Sequence, residues 1–350
     1  MPRAKNNSAS KRHQGRTTLK DLAEHLGLSQ TTVSRVVSQS PEATRIPEET
    51  QKRVLHAAAA LNYQPNVFAR GLRQKRSFTI GVIVPEISEG YSTSVLGGIE
   101  DALLQEGYFY FVVSHRHHPE LLTGYPHLLL ARAVEGILAI DSPIDEALPV
   151  PVVAVSGHKH GNGVINIELD HRMAAHYALE HLHSLGHRSI AFIKGQTFSS
   201  DTRPRWNAIT KTAAELDLKI DPQLIVSLEG SAPGFEPGYI ATKQLLERNQ
   251  PFTAIFAFND VSAIGAITAL HEVGIKVPQD VSVVGFDDIP SAATNNPALT
   301  TVRQPLREMG RTAATTLLHA IHGNGEPAAG ESITVLPTFV VRHSTRAIGQ

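Results

Sequence analysis

The 350-residue sequence predicts a small all-α head followed by a larger α/β body made of two doubly wound parallel-sheet lobes. Three observations predict this. Residues 18–37 repeat their apolar positions at helical spacing around one glycine. From residue 78 the pattern changes to short continuous apolar runs separated by helical stretches. Charge divides at the same place: residues 1–76 hold 14 Lys+Arg against 5 Asp+Glu, and the remainder holds 18 against 28, under a formal net charge of −1. A basic head on an acidic body is the footprint of a nucleic-acid reader joined to something else.

The head reads in order. Residues 1–16 carry Arg3, Lys5, Lys11, Arg12 and Arg16 without an acid and lack the apolar content to fold, which predicts a disordered arm. Thr18 followed at three residues by Asp21 is a capping pair, because the hydroxyl accepts from a free amide and the carboxylate meets the positive end of a helix. Leu19, Leu22, Ala23 and Leu26 continue one face, Gly27 supplies the positive φ that ends it, and Ser29 caps a second helix. In that helix Val33, Val36 and Val37 point one way, while Gln30, Thr31, Ser34 and Arg35 share the other face.

Those outward side chains have base-reading chemistry. Gln pairs with adenine, Arg with guanine, and Thr donates, accepts or meets a thymine methyl, from a helix that fits the major groove. Because the basic excess coincides with the two-helix motif, DNA binding is favoured over a plain helical hairpin. Ser38 to Arg45 reads as a loop of turn formers. A third helix opens at Pro47-Glu48-Glu49, with Val54, Leu55, Ala58 and Leu61 as its buried stripe. The basic stretch 62–76, with Pro65, a potential cap at Asn66 and a weakening Gly71, predicts a marginal helix that orders only against a partner.

In the body, apolar runs at 79–84, 109–113, 136–140 and 152–155 predict strands, with helices at 94–106 and 127–133 between them. A second set follows at 189–193, 224–228, 254–258 and 281–286, with helices near 171–185, 203–216, 237–248, 261–273 and 307–322. Two such units in tandem place a cleft at the carboxyl ends of their strands.

Composition excludes several classes. With no cysteine there are no disulfides or thiolate metal sites. The opening residues hold no signal-peptide run and no apolar stretch approaches transmembrane length, so a cytoplasmic protein without membrane contact is expected. Eighteen histidines invite a metal reading, yet Arg116 and Lys159 repel a cation within the clusters 115–118 and 158–160, and Glu120 is the one acid near the first. Those clusters read as solvated loops, and His181 and His183 as surface positions. No nucleophile elbow, phosphate-binding glycine loop or His-Glu-x-x-His is present, so neither an enzyme nor a cofactor is expected.

Six ordered motifs then carry a resemblance: Thr18-Leu19-Lys20-Asp21-Leu22-Ala23, Thr32-Val33-Ser34-Arg35-Val36, Leu61-Asn62-Tyr63-Gln64-Pro65-Asn66, Leu185 to Ile193, Val281 to Pro290, and Leu299-Thr300-Thr301-Val302-Arg303-Gln304-Pro305. From about Thr17 to Arg346 the chain resembles the lactose-repressor (LacI/GalR) family of bacterial transcription regulators. The resemblance implies lobes of periplasmic-binding-protein type and a homodimer whose paired heads bind a double-stranded, pseudo-palindromic operator. It implies four regions: an arm at 1–16, a helix-turn-helix domain at 17–63, a hinge at 64–76, and an effector-binding and dimerisation domain at 77–350. Within the last, the N-lobe is expected at about 77–169 and 306–333, and the C-lobe at about 170–305 and 334–346.

The resemblance also assigns residues. Gln30, Thr31 and Arg35 stand where relatives read bases, and Ser34, Thr18 and Asn66 join them as DNA-binding candidates. Asn66 begins a hinge helix that inserts Leu72 into the minor groove, paying unstacking energy for a bent site. Arg205, in Arg203-Pro204-Arg205-Trp206-Asn207-Ala208, matches the arginine that relatives direct at a sugar hydroxyl or a purine, with Ala208 where a glycine is usual. Asp287 matches a carboxylate that accepts from ligand hydroxyls, and Asn259 a nearby amide. Ser156-Gly157-His158 departs from the Asp-Arg many relatives carry, leaving Ser156 as a substitute. Tyr91 and Phe235 offer aromatic faces, and Asp170 completes the candidates. The loop 38–46 looks longer than the family spacing, so operator preference is not borrowed. A repressor controlled by a small metabolite, most simply a sugar, is expected. The alternatives are a purine-type corepressor on the same design and a sugar-binding protein without a regulatory role. No leucine heptad follows Val340 to Thr345, so a dimer rather than a tetramer is expected.

Overall fold

The computed structural model describes residues 17–38, 40–63, 76–87, 90–157, 163–232, 234–323 and 331–349. The chain forms two compact units, Met1–Ser77 and Phe78–Gln350.

In the first unit, α1 (Leu19–Leu26) begins at a complete capping box: Asp21 N donates to Thr18 Oγ1 at 3.2 Å and Thr18 N donates to Asp21 Oδ2 at 2.8 Å. Gly27 ends it in the left-handed conformation at φ 64°, which a side chain would strain. Ser29 Oγ accepts from Thr32 N at 3.1 Å to start α2 (Gln30–Val37). Residues expected to be loop instead form a 3₁₀ turn, Pro41–Arg45. Gln51 secures it, donating from Nε2 to the carbonyls of Ala43 and Ile46 at 2.9 and 2.8 Å. The third helix, α3, runs Glu48–Ala60. Leu22, Ala23, Val33, Val36, Val54, Ala57 and Ala58 close the core. Leu55, expected in the stripe, is 46% exposed, because one residue of helix rotates it about 100° from Val54 and the pair 57/58 takes the inward position.

The second unit contains two six-stranded sheets. The first has β1 (Thr79–Val84), β2 (Phe109–Ser114), β3 (Gly136–Ile140), β4 (Val152–Val155), β5 (Val164–Leu169) and β11 (Ser332–Val335), ordered β11-β5-β4-β3-β1-β2 and parallel throughout. The second has β6 (Ile190–Lys194), β7 (Ile225–Ser227), β8 (Ala254–Ala257), β9 (Ser282–Asp287), β10 (Thr300–Arg303) and β12 (Thr338–Val340), ordered β12-β10-β9-β8-β6-β7, with only β12 antiparallel. Their central strands are apolar on both faces because helices cover both. The chain passes between the sheets after β5, after β10 and between β11 and β12.

Helices α4 (Tyr91–Gln105) and α11 (Leu306–His322) cross on the first sheet, and α5 (Pro119–Leu130) covers its other face. The crossing brings backbones together: a Cβ on Gly98 would lie 1.8 Å from the Arg307 carbonyl oxygen, and one on Gly310 would lie 2.0 Å from that of Val95. On the second sheet α6 (His171–Ser184) and α7 (Thr202–Glu215) take one face, while α8 (Glu236–Glu247) and α9 (Asp260–Glu272) take the other. The short α10 (Pro290–Thr294) follows β9.

Two helices begin earlier than their periodicity predicts. In α4 the hydroxyls of Thr93 and Ser94 return to the Gly90 carbonyl at 3.1 and 2.9 Å, so polar residues that read as loop form the first turn. α5 starts at Pro119, well before the expected 127, and continues through the interior Pro126 to Leu130. The histidines depart from expectation too. His115 is 4% exposed and bonds through Nε2 to Ser142 Oγ at 3.0 Å, and burial pushes its imidazole down to about 4. His181 is half-buried and bonds Thr345 Oγ1 at 3.0 Å.

Candidate DNA-reading face and effector cleft

The head presents one continuous polar face. Burying Val33 and Val36 fixes the rotation of α2, so Gln30, Thr31 and Arg35 are exposed on its far side, with Ser34 half-buried between. Thr18, by contrast, is committed to the cap of α1, its hydroxyl also bonding Asp21 Oδ2 at 2.7 Å. Asn66 and Leu72, expected in the hinge, lie outside the described residues.

In the body a cleft opens between the two sheets, lined from one side by Tyr91, His117 and Asp141 and from the other by Gln196, Phe198, Ser199, Asp201, Arg205, Asn259 and Asp287. Several of these sit at or just beyond the carboxyl ends of parallel strands, where the backbone turns and its side chains face the gap. Asp141 after β3 has φ 41°, and Asp287 at the end of β9 has φ 116°; such positive values on non-glycine residues mark constrained positions.

Arg205 is the centre of the site. Its guanidinium pairs with Asp201 Oδ2 at 3.0 Å, donates from Nη1 to the Phe258 carbonyl at 2.5 Å, and lies 3.7 Å from the centre of the Phe286 ring. Asp201 also meets His171 Nε2 at 3.2 Å. The ion-pair partner of Arg205 is Asp201 rather than Asp287, because four residues bring the Arg205 and Asp201 side chains together at the helix start. Asp287 accepts from Gln304 Nε2 at 2.6 Å. Asp141 accepts from Ser199 Oγ at 3.1 Å and from Ser200 N at 2.9 Å, hydrogen bonds that run from one lobe to the other.

The cleft is electrostatically strained. Burial raises Asp287 to about 7 although the Arg205 charge opposes it, and burial with the Asp201 charge raises Asp141 to about 6. Burial, reinforced by the same carboxylates, holds the Tyr91 phenol well above its ordinary range. Behind the cleft, Asp260 is raised by burial and by Asp287 while accepting from Thr301 Oγ1 and Ile289 N.

Of the residues expected to meet an effector, Arg205, Asp287, Asn259 and Tyr91 converge on this cleft. Asn259 also caps α9, its Oδ1 accepting from Ser262 N at 2.9 Å. Three others do not line it. Ser156 is fully buried one bond behind, accepting from the Tyr91 hydroxyl at 2.7 Å. Asp170 caps α6, accepting from Met173 N at 2.9 Å, a local task that accounts for a carboxylate at that helix start. Phe235 stands 51% exposed before α8, outside the cleft lining.

Sequence reasoning missed Asp141, Asp201, His117 and Phe198. For the first two a signal was present: Asp141 closes an apolar run as Asp287 does, and Asp201 precedes Arg205 by four residues. His117 and Phe198 meet across the cleft with ring centres 3.9 Å apart, which no local pattern foretells.

Known proteins show the same plan. Residues 18–66 match the profile described as bacterial regulatory proteins, lacI family, and 179–345 match a periplasmic binding protein-like domain. The HTH-type transcriptional repressor PurR of Haemophilus influenzae is 33% identical over 344 residues, covering 95% of this chain and 99% of its own. The lac repressor dimer bound to operator and the anti-inducer ONPF aligns with a TM-score of 0.83 at 28% identity, over 95% of this chain and all of that one. A complex of the transcriptional regulator CelR with cellobiose aligns at 0.69 and 26% identity, over 94% of this chain and all of that one. The exposed polar helix face, the two-lobed body with its cleft and these full-length likenesses agree: the chain belongs to the lacI family of bacterial regulatory proteins, as a DNA-binding transcriptional regulator with an effector-binding body.

Proposed function

We propose that this regulator is a cytoplasmic, homodimeric repressor, without enzymatic activity, that binds a pseudo-palindromic operator and is controlled by a carbohydrate held between its lobes. The observation that carries the effector class is the convergence of a guanidinium, buried carboxylates and an amide at the strand ends around one cleft, since sugars need paired donors and acceptors away from bulk water. The CelR relative, which holds cellobiose, supports this class. Gln30, Thr31, Ser34 and Arg35 read bases, and the segment from Asn66 to Gln74, with Leu72 as its wedge, serves as the hinge helix. Ligand in the cleft favours one arrangement of the lobes, and operator affinity follows through its differential affinity for two states.

The test titrates neutral sugars and purines against full-length protein on an operator selected from genomic fragments. A sugar that changes operator affinity is expected, and the sign separates inducer from corepressor. A purine moving affinity while no sugar does replaces the carbohydrate reading. Among the described residues no helix is long and apolar enough to cross a membrane.

A further inference from the structure

The cleft holds more negative charge than its own cation answers. Asp201 and Asp287 are each 4% exposed, Asp141 is half-buried, and all three line the same space. Arg205 is the one guanidinium or ammonium among the described lining residues, and it is already committed to Asp201, the Phe258 carbonyl and the Phe286 ring. Asp141 is met by Ser199 and Ser200, and Asp287 by Gln304, all neutral donors. Neither makes an ion pair among the described residues. Asp201 raises both and Asp141 raises Asp287, so the two carboxyls share a neighbourhood in which ionisation is unfavourable without an added cation.

A second, independent feature lies in a residue that lines the same cleft. The Nε of Arg205, in a side chain 4% exposed, has no acceptor among the described residues, and an orphaned buried donor of this kind costs the full desolvation of its N–H. It calls for an oxygen brought from outside. Together the two features ask one ligand for a positive charge and for a hydroxyl oxygen.

We infer that the effector is an aminated sugar, a polyol bearing a protonated amine whose charge answers Asp141 and Asp287 while a hydroxyl oxygen accepts from Arg205 Nε. This rests on the carbohydrate reading above and narrows it. A neutral sugar supplies only dipoles to the two carboxylates, and a sugar acid adds a further negative charge to a site that already repels one. Burying an ammonium is costly by itself, and the waiting carboxylates are what offset that cost.

The experiment is calorimetric titration of the full-length protein at neutral pH with matched sets: D-glucosamine, N-acetyl-D-glucosamine, D-glucose and D-glucuronate, and the corresponding galactose set. The amine is expected to bind at least about tenfold more tightly than its neutral parent, N-acetylation to remove that advantage, and the acid not to bind. Neutral parents binding as tightly as the amines overturn the inference and leave the carbohydrate reading intact. Absence of binding by every member at millimolar concentration also overturns it, while the operator titration separately decides whether any sugar acts. As a second measurement, Asp141→Asn is expected to cut the ratio of amine affinity to neutral-parent affinity severalfold; an undiminished ratio overturns the assignment of the charge.

Discussion

The head and the cleft solve recognition in opposite ways. The head's proposed reading face is four side chains from six consecutive residues on one short helix, three exposed and Ser34 half-buried, held by the burial of Val33 and Val36 beneath them. The cleft draws on positions from Tyr91 to Asp287, on both sheets, and sets charged groups away from water against one another. The head keeps its polar groups hydrated until DNA arrives, and the body stores a cost that a ligand relieves. A surface that reads a large polyanion needs rotation and exposure; a pocket that discriminates a small molecule needs low dielectric and fixed partners.

That contrast can be broken by mutation. Asp201→Ala leaves the buried Arg205 guanidinium without its ion-pair partner and is expected to cost about 3–5 kcal/mol of body stability, measured by urea unfolding of the full chain. A loss well under this places the arginine's support in Phe286 and Phe258 instead. Arg35→Ala or Gln30→Ala should cost about 1–3 kcal/mol in operator affinity with unfolding unchanged, as read by footprinting and melting together. Unaltered footprints for both would remove α2 as the reader. Thr18→Ala, which deletes one half of the capping box, should cost about 1 kcal/mol in the head's own transition and leave the body's untouched.

The smallest effect sharpens the comparison by its sign. The Thr18 backbone hydrogen bond holds Asp21 below its ordinary value of 3.8, so its contribution is present above that value and is lost as pH falls through the lower, folded one. Burial raises Asp287 from 3.8 to about 7, so its contribution is present below 3.8 and is lost as pH rises through about 7. Stability against pH for Asp21→Asn and Asp287→Asn, each compared with wild type, should therefore diverge in opposite directions. Relative to wild type, Asp287→Asn should gain stability as pH rises from about 4 to 7; a flat difference across that window contradicts the assignment.

What could be read from residues alone follows from this. The caps at Thr18 and Ser29, the turn at Gly27 and the outward face of α2 are local, each set by spacings of three or four residues that the sequence displays directly. Eight strands were legible as apolar runs, whereas β5 and β10, broken by Asn166 and Glu168 or begun by two threonines, and β11 and β12, four and three residues long at sheet edges, carry no such run. Arg205 and Asp287 rest on the resemblance, whereas Asp170 and Phe235 rest on residue type alone, and a polar or aromatic residue near a helix start satisfies that while capping or facing solvent.

By itself the sequence determined the division into a basic helical head and an acidic α/β body, because charge count and apolar period are properties of the chain. Only the tertiary structure decided that Asp141 meets Ser199 and Ser200 from the opposite lobe, that His117 stacks on Phe198, and that Arg205 is held by Asp201 beside the under-neutralised Asp287. Desolvation and proximity between residues far apart in sequence set those charges, and neither exists until the sheets have formed and faced each other.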